Sequence, residues 1–282
     1  MNQNANAPAR DSNQDRIAFI GGGNMAGAII GGLIRQGLSP LQVEVVEPFA
    51  QSREKLKVQF GVLAKEFAGP ALARANVVIW AVKPQTFKEA AAQAGAFTGS
   101  ALHLSVAAGI RSSSIAQWLG TQRIVRSMPN TPALVGKGMT ALYARPAVTE
   151  ADRRRIEQII STTGDSLWVT DEQYLDAVTA LSGSGPAYVF FFIEAMTKAG
   201  IEMGLSSDQA RKLSIGTFVG ASELARASDD PPEILRERVT SRGGTTHAAI
   251  TSMEHDQLAA LFGKALHAAR KRATELGDEF GA

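Results

Sequence analysis

Two stretches of this sequence concentrate residue types that bind anions and small ligands. The first is Gly21-Gly22-Gly23-Asn24-Met25-Ala26, directly after the apolar run Ile17-Ala18-Phe19-Ile20. A helical pattern follows through Met25, Ile29, Ile30, Leu33 and Ile34, and Gly37 closes it. In a dinucleotide fingerprint the first glycine permits the tight turn. Gly23 lets the backbone approach a pyrophosphate, and a small residue at Ala26 lets helix and strand pack closely. The helix start offers unpaired N–H groups to phosphates. The strand–turn–helix context favours dinucleotide binding over a plain glycine-rich turn. The second stretch is Val239-Thr240-Ser241-Arg242-Gly243-Gly244-Thr245-Thr246-His247. It crowds hydroxyls and glycines before a helix, which suits a small carboxylate. An elaborate N-cap without a ligand is the other reading.

Other residues carry weaker signals. Glu47 lies 21 positions after Ala26, at the end of a second strand. An acid there bonds the adenosine ribose hydroxyls of NAD and repels the extra phosphate of NADP. The alternative is a solvated acid before Pro48. Arg53 is close enough in sequence to soften the repulsion. Ala81-Val82-Lys83-Pro84-Gln85 ends another strand, on the side that faces a ligand crevice, where Lys83 either touches a cofactor or holds a loop. In Met128-Pro129-Asn130-Thr131-Pro132, Asn130 is either an orienting amide or a turn residue. Ser182-Gly183-Ser184-Gly185-Pro186-Ala187-Tyr188 opens a helix that is apolar nearly all round, as expected of a core or a subunit interface. Within it Glu194 reads as a paired core acid. The four histidines, His103, His247, His255 and His267, show no metal-ligand spacing with acids. No metal is expected, and His103 reads as structural. Asp171 and Glu172 have no second acid at a spacing that suits a carboxylate-pair hydrolase.

The elements that must position these residues alternate. Strands are expected at Ile17–Ile20, Val43–Val46, Val77–Val82, Ala101–Val106, Ile124–Arg126 and Leu167–Val169. Helices intervene, among them one that starts with a Thr149–Asp152 capping box and ends at Gly164. This predicts an α/β fold with a parallel sheet and helices on both faces. Beyond residue 169 only helical periodicity remains: Pro186–Lys198, Asp208–Ala227, Pro232–Val239, Thr245–Met253 and Gln257–Leu276. The division read from this is a disordered tail at 1–15, a Rossmann dinucleotide-binding domain at 16–169 and an all-α domain at 170–282.

Composition sets the outer limits. A chain of 282 residues with 45% apolar and 20% charged residues can bury a sizeable core. A net charge of +2 gives no reason to expect nucleic acid or a membrane as partner. No apolar run approaches the roughly 18 residues of a membrane span. The absence of cysteine excludes disulfides and thiolate chemistry and fits a cytoplasmic location. The Asn-, Gln- and Asp-rich start has no apolar segment of the signal-peptide kind.

The chain resembles the pyrroline-5-carboxylate reductase family from Ile17 to about Glu275. The resemblance rests on FIGGGNM, AVKP, MPNTP, SGSGPAYVF and above all the stretch from Pro232 to Glu254. It implies a Rossmann domain followed by a helical dimerisation domain, with the active site formed where dimer partners meet. The implied reaction is the last step of proline biosynthesis, hydride transfer from NADPH or NADH to a cyclic imine. It implies cofactor binding by Ile20, Gly21, Gly22, Gly23, Asn24 and Met25, by Ala81, Val82, Lys83 and Pro84, and by Ala107, Ala108 and Gly109. It implies that N–H groups around Ser241, Gly243, Gly244 and Thr245 hold the substrate carboxylate, with the Thr246 hydroxyl on the ring nitrogen. Glu172 matches a position in the neighbourhood of the substrate. A homodimer at least is expected, and a decamer of dimers is the larger assembly considered. The chain departs from the family pattern at Glu47, where a small hydroxyl residue is common in NADPH-preferring members, and at Ala68, where many have Asn. Arg238 fills a variable position near the cofactor. The alternatives are a related imine or β-hydroxyacid oxidoreductase, which would need Lys198 as its lysine, and a non-catalytic nucleotide-binding regulatory protein.

Overall fold

The computed structural model describes residues 16–281. The tail expected at 1–15 lies outside them. Two compact units are present: residues up to Gly183 together with Arg272 onward, and Ser184–Lys271.

The first unit is built on a seven-stranded sheet in the order β2-β1-β3-β4-β5-β6-β7. The strands are β1 (Ile17–Ile20), β2 (Val43–Val46), β3 (Val77–Trp80), β4 (Leu102–Ser105), β5 (Ile124–Met128), β6 (Gly138–Ala144) and β7 (Gly164–Trp168). The intervening helices are α1 (Asn24–Arg35), α2 (Ala50–Phe60), α3 (Pro84–Ala94), α4 (Ser112–Leu119) and α5 (Glu150–Ile160), and α6 (Tyr174–Val178) follows β7. Near-continuous apolar runs such as Val77-Val78-Ile79-Trp80 suit strands covered on both faces. One core packs Ile17 and Phe19 with Ile29 and Ile30 of α1, Leu56 of α2 and Ile156 and Ile160 of α5. The other packs Ala18, Val78 and Trp80 with Phe87 of α3 and Ile115 of α4.

The sheet and the end of α5 differ from expectation. The sheet is not wholly parallel, because β6 runs antiparallel to β5. Its residues, Gly-Met-Thr-Ala-Leu-Tyr-Ala, dilute the apolar signal with glycine and alanine, so six strands were readable where seven form. Gly164 does not end α5; it begins β7. At φ 143° it meets Gly138, whose carbonyl oxygen would lie 2.1 Å from any added Cβ. The capping box at Thr149 and Asp152 is present.

The second unit holds α7 (Gly185–Glu202), α8 (Ser207–Ala227), α9 (Pro232–Arg238), α10 (Thr245–His255) and the first part of α11 (Leu258–Phe280). Residues 170–183, assigned by sequence to the helical half, instead pack in the sheet unit. Polar contacts explain this: Glu172 bonds Arg126 of β5, and Asp176 bonds Thr274 at the end of α11. Helix α7 is not buried within its own unit. Phe190 and Phe191 are about two-thirds exposed, and Glu194 is exposed, not a core acid. Among the described residues no helix is long and apolar enough to cross a membrane.

Candidate active site

The register of the sheet levels three of the predicted segments. Ile20 pairs with Trp80, and Trp80 with Ser105. The chain therefore leaves β1, β3 and β4 on one edge, at Gly21, Ala81 and Val106. Bonds from Ala81 N–H to the Ile20 carbonyl (2.8 Å) and from Val106 N–H to the Trp80 carbonyl (3.0 Å) extend this alignment past the strand ends. Here β1 has β2 on one side and β3 on the other, so the crevice lies where successive connections diverge, the usual ligand position in such sheets.

Each glycine of the turn has a separate physical reason. Gly21 has φ +96°, and a Cβ on it would stand 2.6 Å from the Ala81 carbonyl oxygen. Gly22 is pressed between Leu56 and Glu47, with 2.8 Å available to Leu56 Cδ1. Gly23 has open space where its Cβ would be, with no atom within 4 Å. It is the N-cap of α1, and no side chain caps that end. Open space at Gly23 beside uncapped N–H groups is the room that a dinucleotide pyrophosphate requires. The residues present fit that group. A groove of about 300 Å³ continues from Gly22 and Gly23 between α1 and α2, past Ser52 and Lys55.

Glu47 is buried, and its carboxylate accepts N–H bonds from Gly22 (2.7 Å) and Phe49 (2.9 Å). Two acceptor positions of the carboxylate are thus used by backbone, which fixes it against the turn. The solvated reading of Glu47 does not hold. Arg53 does not neutralise it: the guanidinium donates to the Glu47 and Pro48 carbonyls and to Glu66. Arg238, in the other unit, pairs with Asp230 at 2.6 Å. Lys83 is exposed and N-caps α3 with Pro84 in the first turn. Ala107 is buried, and Gly109 turns at φ +70°. Asn130 acts as a scaffold amide. It donates to Ser182 and accepts from the Met139 N–H.

Glu172, expected in the neighbourhood of the substrate, has its carboxylate taken up by protein donors. Its oxygens accept from the Ser112 N–H and O–H and from Arg126, each at 2.6 Å. Burial raises the carboxyl pKa, but the Arg126 charge and the Ser112 donors outweigh burial and hold it below the usual carboxylate range. A carboxylate so engaged serves its neighbours. This was illegible in sequence, because Ser112 and Arg126 lie 60 and 46 residues away.

In the helical unit, α9 closes on Thr240, whose hydroxyl donates to the Arg236 carbonyl. Gly243 turns at φ +75°, and Gly244 N-caps α10. The Gly244 N–H is spent on the Ser241 carbonyl at 3.0 Å, so it is not a free donor as expected. No side chain caps α10. The N–H groups of its first turn, from Thr245 and Thr246, therefore point out of the helix start. Ser241 and Thr245 are exposed, and Thr246 is half-buried.

Known proteins share this plan over more than nine-tenths of its length. A reductase from Pseudomonas aeruginosa, a pyrroline-5-carboxylate reductase, is 45% identical over 268 residues, 94% of this chain and 98% of that protein. The chain belongs to the pyrroline-5-carboxylate reductase family. The Pisum sativum reductase is 36% identical over 92% of this chain and 95% of its own. The Coxiella burnetii reductase structure superposes with a TM-score of 0.87 at 38% identity, covering 93% of this chain and 98% of that one. A Plasmodium falciparum pyrroline carboxylate reductase with NADP bound gives 0.83 at 26% identity, over 93% of this chain and 98% of that one. Residues 172–276 match the family model for pyrroline-5-carboxylate reductase dimerisation. Residues 16–109 match that for NADP oxidoreductase, coenzyme F420-dependent.

Proposed function

We propose the following division of labour for the reduction of 1-pyrroline-5-carboxylate to L-proline by NAD(P)H, the reaction of the family to which the chain belongs. The observation that carries it is the match to a reductase over 94% of the chain, joined to a glycine turn with open space at Gly23. Residues Ile20 to Met25 hold the pyrophosphate at the start of α1. Glu47 receives the adenosine ribose hydroxyls. Residues Ala81 to Pro84 and Ala107 to Gly109 line the nicotinamide end. A bound reduced nicotinamide supplies the hydride.

In the helical unit, the uncapped N–H groups at Thr245 and Thr246, with Ser241 and Gly243, hold the substrate carboxylate against the positive end of α10. Gly244 shapes the turn. Thr246 directs its hydroxyl to the ring nitrogen and is the catalytic residue of the reading. A cyclic imine takes its proton on nitrogen before hydride arrives. The hydride then adds to the C=N carbon, the π pair passes to nitrogen, and the nitrogen keeps its proton. No side chain has to protonate a developing alkoxide, so positioning performs most of the catalysis.

The chain works as a homodimer, with partner chains completing each other's site. Two features support this: the match to the dimerisation family and the exposed Phe190, Phe191, Leu213 and Val219 on α7 and α8. A decamer of dimers is the larger assembly to test by solution mass. The absence of cysteine supports work in the reducing cytoplasm.

The test is loss of reduced-nicotinamide absorbance on adding pyrroline-5-carboxylate, with NADH and NADPH in parallel. The fixed Glu47 carboxylate predicts a higher kcat/KM with NADH, and Glu47→Ser moves the ratio toward NADPH by about tenfold, as roughly 1.4 kcal/mol of relieved repulsion would. No oxidation of either cofactor by folded protein overturns the function. An unchanged ratio in Glu47→Ser removes Glu47 as the selector.

A further inference from the structure

The turn Ala107–Gly109 runs on through Ile110 into Arg111 and Ser112, and acids from one short stretch grip both of those residues. Glu172 bonds Ser112 through its N–H and its hydroxyl. Four residues later Asp176, itself buried, lies 3.6 Å from the Arg111 guanidinium. The end of α11 forms the third side. Thr274 Oγ1 donates to Asp176 Oδ2 at 2.9 Å, Asp278 stands 3.3 Å from Arg111, and the Ser114 hydroxyl donates to the Gly281 carbonyl at 2.6 Å. Packing is as close as the bonding. A Cβ on Gly109 would lie 3.2 Å from Leu276 Cβ, and one on Gly277 would lie 3.0 Å from the Arg111 guanidinium.

We propose that Asp176 and Thr274 are positioning residues for the cofactor. Together they dock the last turns of α11 onto Gly109 and Arg111 and so hold Ala107–Gly109 level with the ends of β1 and β3. The proposal rests on the reading of Ala107–Gly109 as cofactor-binding. Neither residue touches substrate or cofactor; each acts through the turn. A buried carboxylate with a hydroxyl and a guanidinium on it is a two-sided clamp, and removing one partner leaves the others poorly satisfied. The last turns of α11 thereby govern cofactor affinity, although they follow the substrate-binding stretch in sequence.

The test uses full-length Asp176→Asn, Thr274→Val and Thr274→Ser. Nicotinamide fluorescence gives the Kd for NADH and NADPH, and steady-state kinetics gives both KM values. Size and unfolding midpoint are recorded for each protein. Asp176→Asn and Thr274→Val are expected to raise the cofactor Kd and KM about fivefold, leaving the KM for pyrroline-5-carboxylate within twofold. Thr274→Ser, which keeps the hydroxyl, restores the wild-type values. Thr274→Val alters one atom type and carries the test if Asp176→Asn does not fold. An unchanged cofactor Kd in a folded variant overturns the proposal, as does a parallel rise in both KM values. A wild-type protein that binds neither dinucleotide overturns the underlying site reading, an outcome distinct from a clamp that does not matter.

Discussion

A threonine hydroxyl both donates and accepts, which suits Thr246 to a ring nitrogen that passes from imine to amine. Thr246→Val keeps the shape and removes that function. It is expected to lower kcat/KM by about 10- to 100-fold, the equivalent of roughly 1.4–2.7 kcal/mol of lost transition-state stabilisation. Unchanged kinetics would remove Thr246 from the mechanism. His103 carries a different expectation. It is fully buried, and its Nδ1 accepts the Trp80 indole N–H at 3.0 Å, which places the ring proton on Nε2. Burial first, and the Arg123 charge with it, push its pKa down to about 4 against some help from Thr98. An unfolded histidine titrates near 6.5, so the unfolded chain binds the extra proton first. Stability is therefore full above pH 6.5 and falls as pH drops toward 4, by up to about 3 kcal/mol. Urea unfolding between pH 7.5 and 4.5 measures this. His103→Gln, which keeps an acceptor for the indole, should lose most of the pH slope, and an equal slope in the variant would assign the titration to another group.

At the scale of the element, the β1–turn–α1 unit separates fold from function. Gly21→Ala forces a Cβ into the Ala81 carbonyl at a left-handed φ and should cost at least about 2 kcal/mol in denaturant unfolding. Gly23→Ala meets nothing in the protein and should leave stability within about 0.5 kcal/mol. That same methyl fills the space assigned to the pyrophosphate, so dinucleotide affinity should fall at least about tenfold, the equivalent of ~1.4 kcal/mol. Calorimetric titration with NADH checks it; normal affinity in Gly23→Ala would move the phosphate elsewhere. This unit was legible in sequence because its apolar run, turn chemistry and helical spacing are all local. β6 was not, since Gly, Ala and Thr there take strand form only through pairing with β5 and β7. The roles of Glu172, Asn130 and Asp176 were hidden for the same reason: their partners are distant in sequence.

At the scale of the whole molecule, the chain couples a sheet unit that presents its strand ends with a helical unit that leaves aromatic side chains in the open. Exposed phenylalanines on α7 and leucines on α8 are costly in water and call for a partner surface, in line with the dimerisation family they match. Sequence periodicity located these helices well but not their destination. The same apolar pattern serves a core or an interface, and α7 has no core of its own to enter. The boundary near residue 169 was likewise placed by a change of periodicity, whereas the physical division follows the bond of Glu172 to Arg126 of β5 and that of Thr274 in α11 to Asp176 in α6. The chain delivers a hydride from a dinucleotide to a cyclic imino acid. Nicotinamide cofactor deuterated at the transferring position, mixed with pyrroline-5-carboxylate, traces that hydride through mass and proton spectra of the product. One deuterium on the proline ring carbon that adjoins nitrogen and bears no carboxylate is the predicted result. Oxidised cofactor with unlabelled proline, or with no proline, would contradict it.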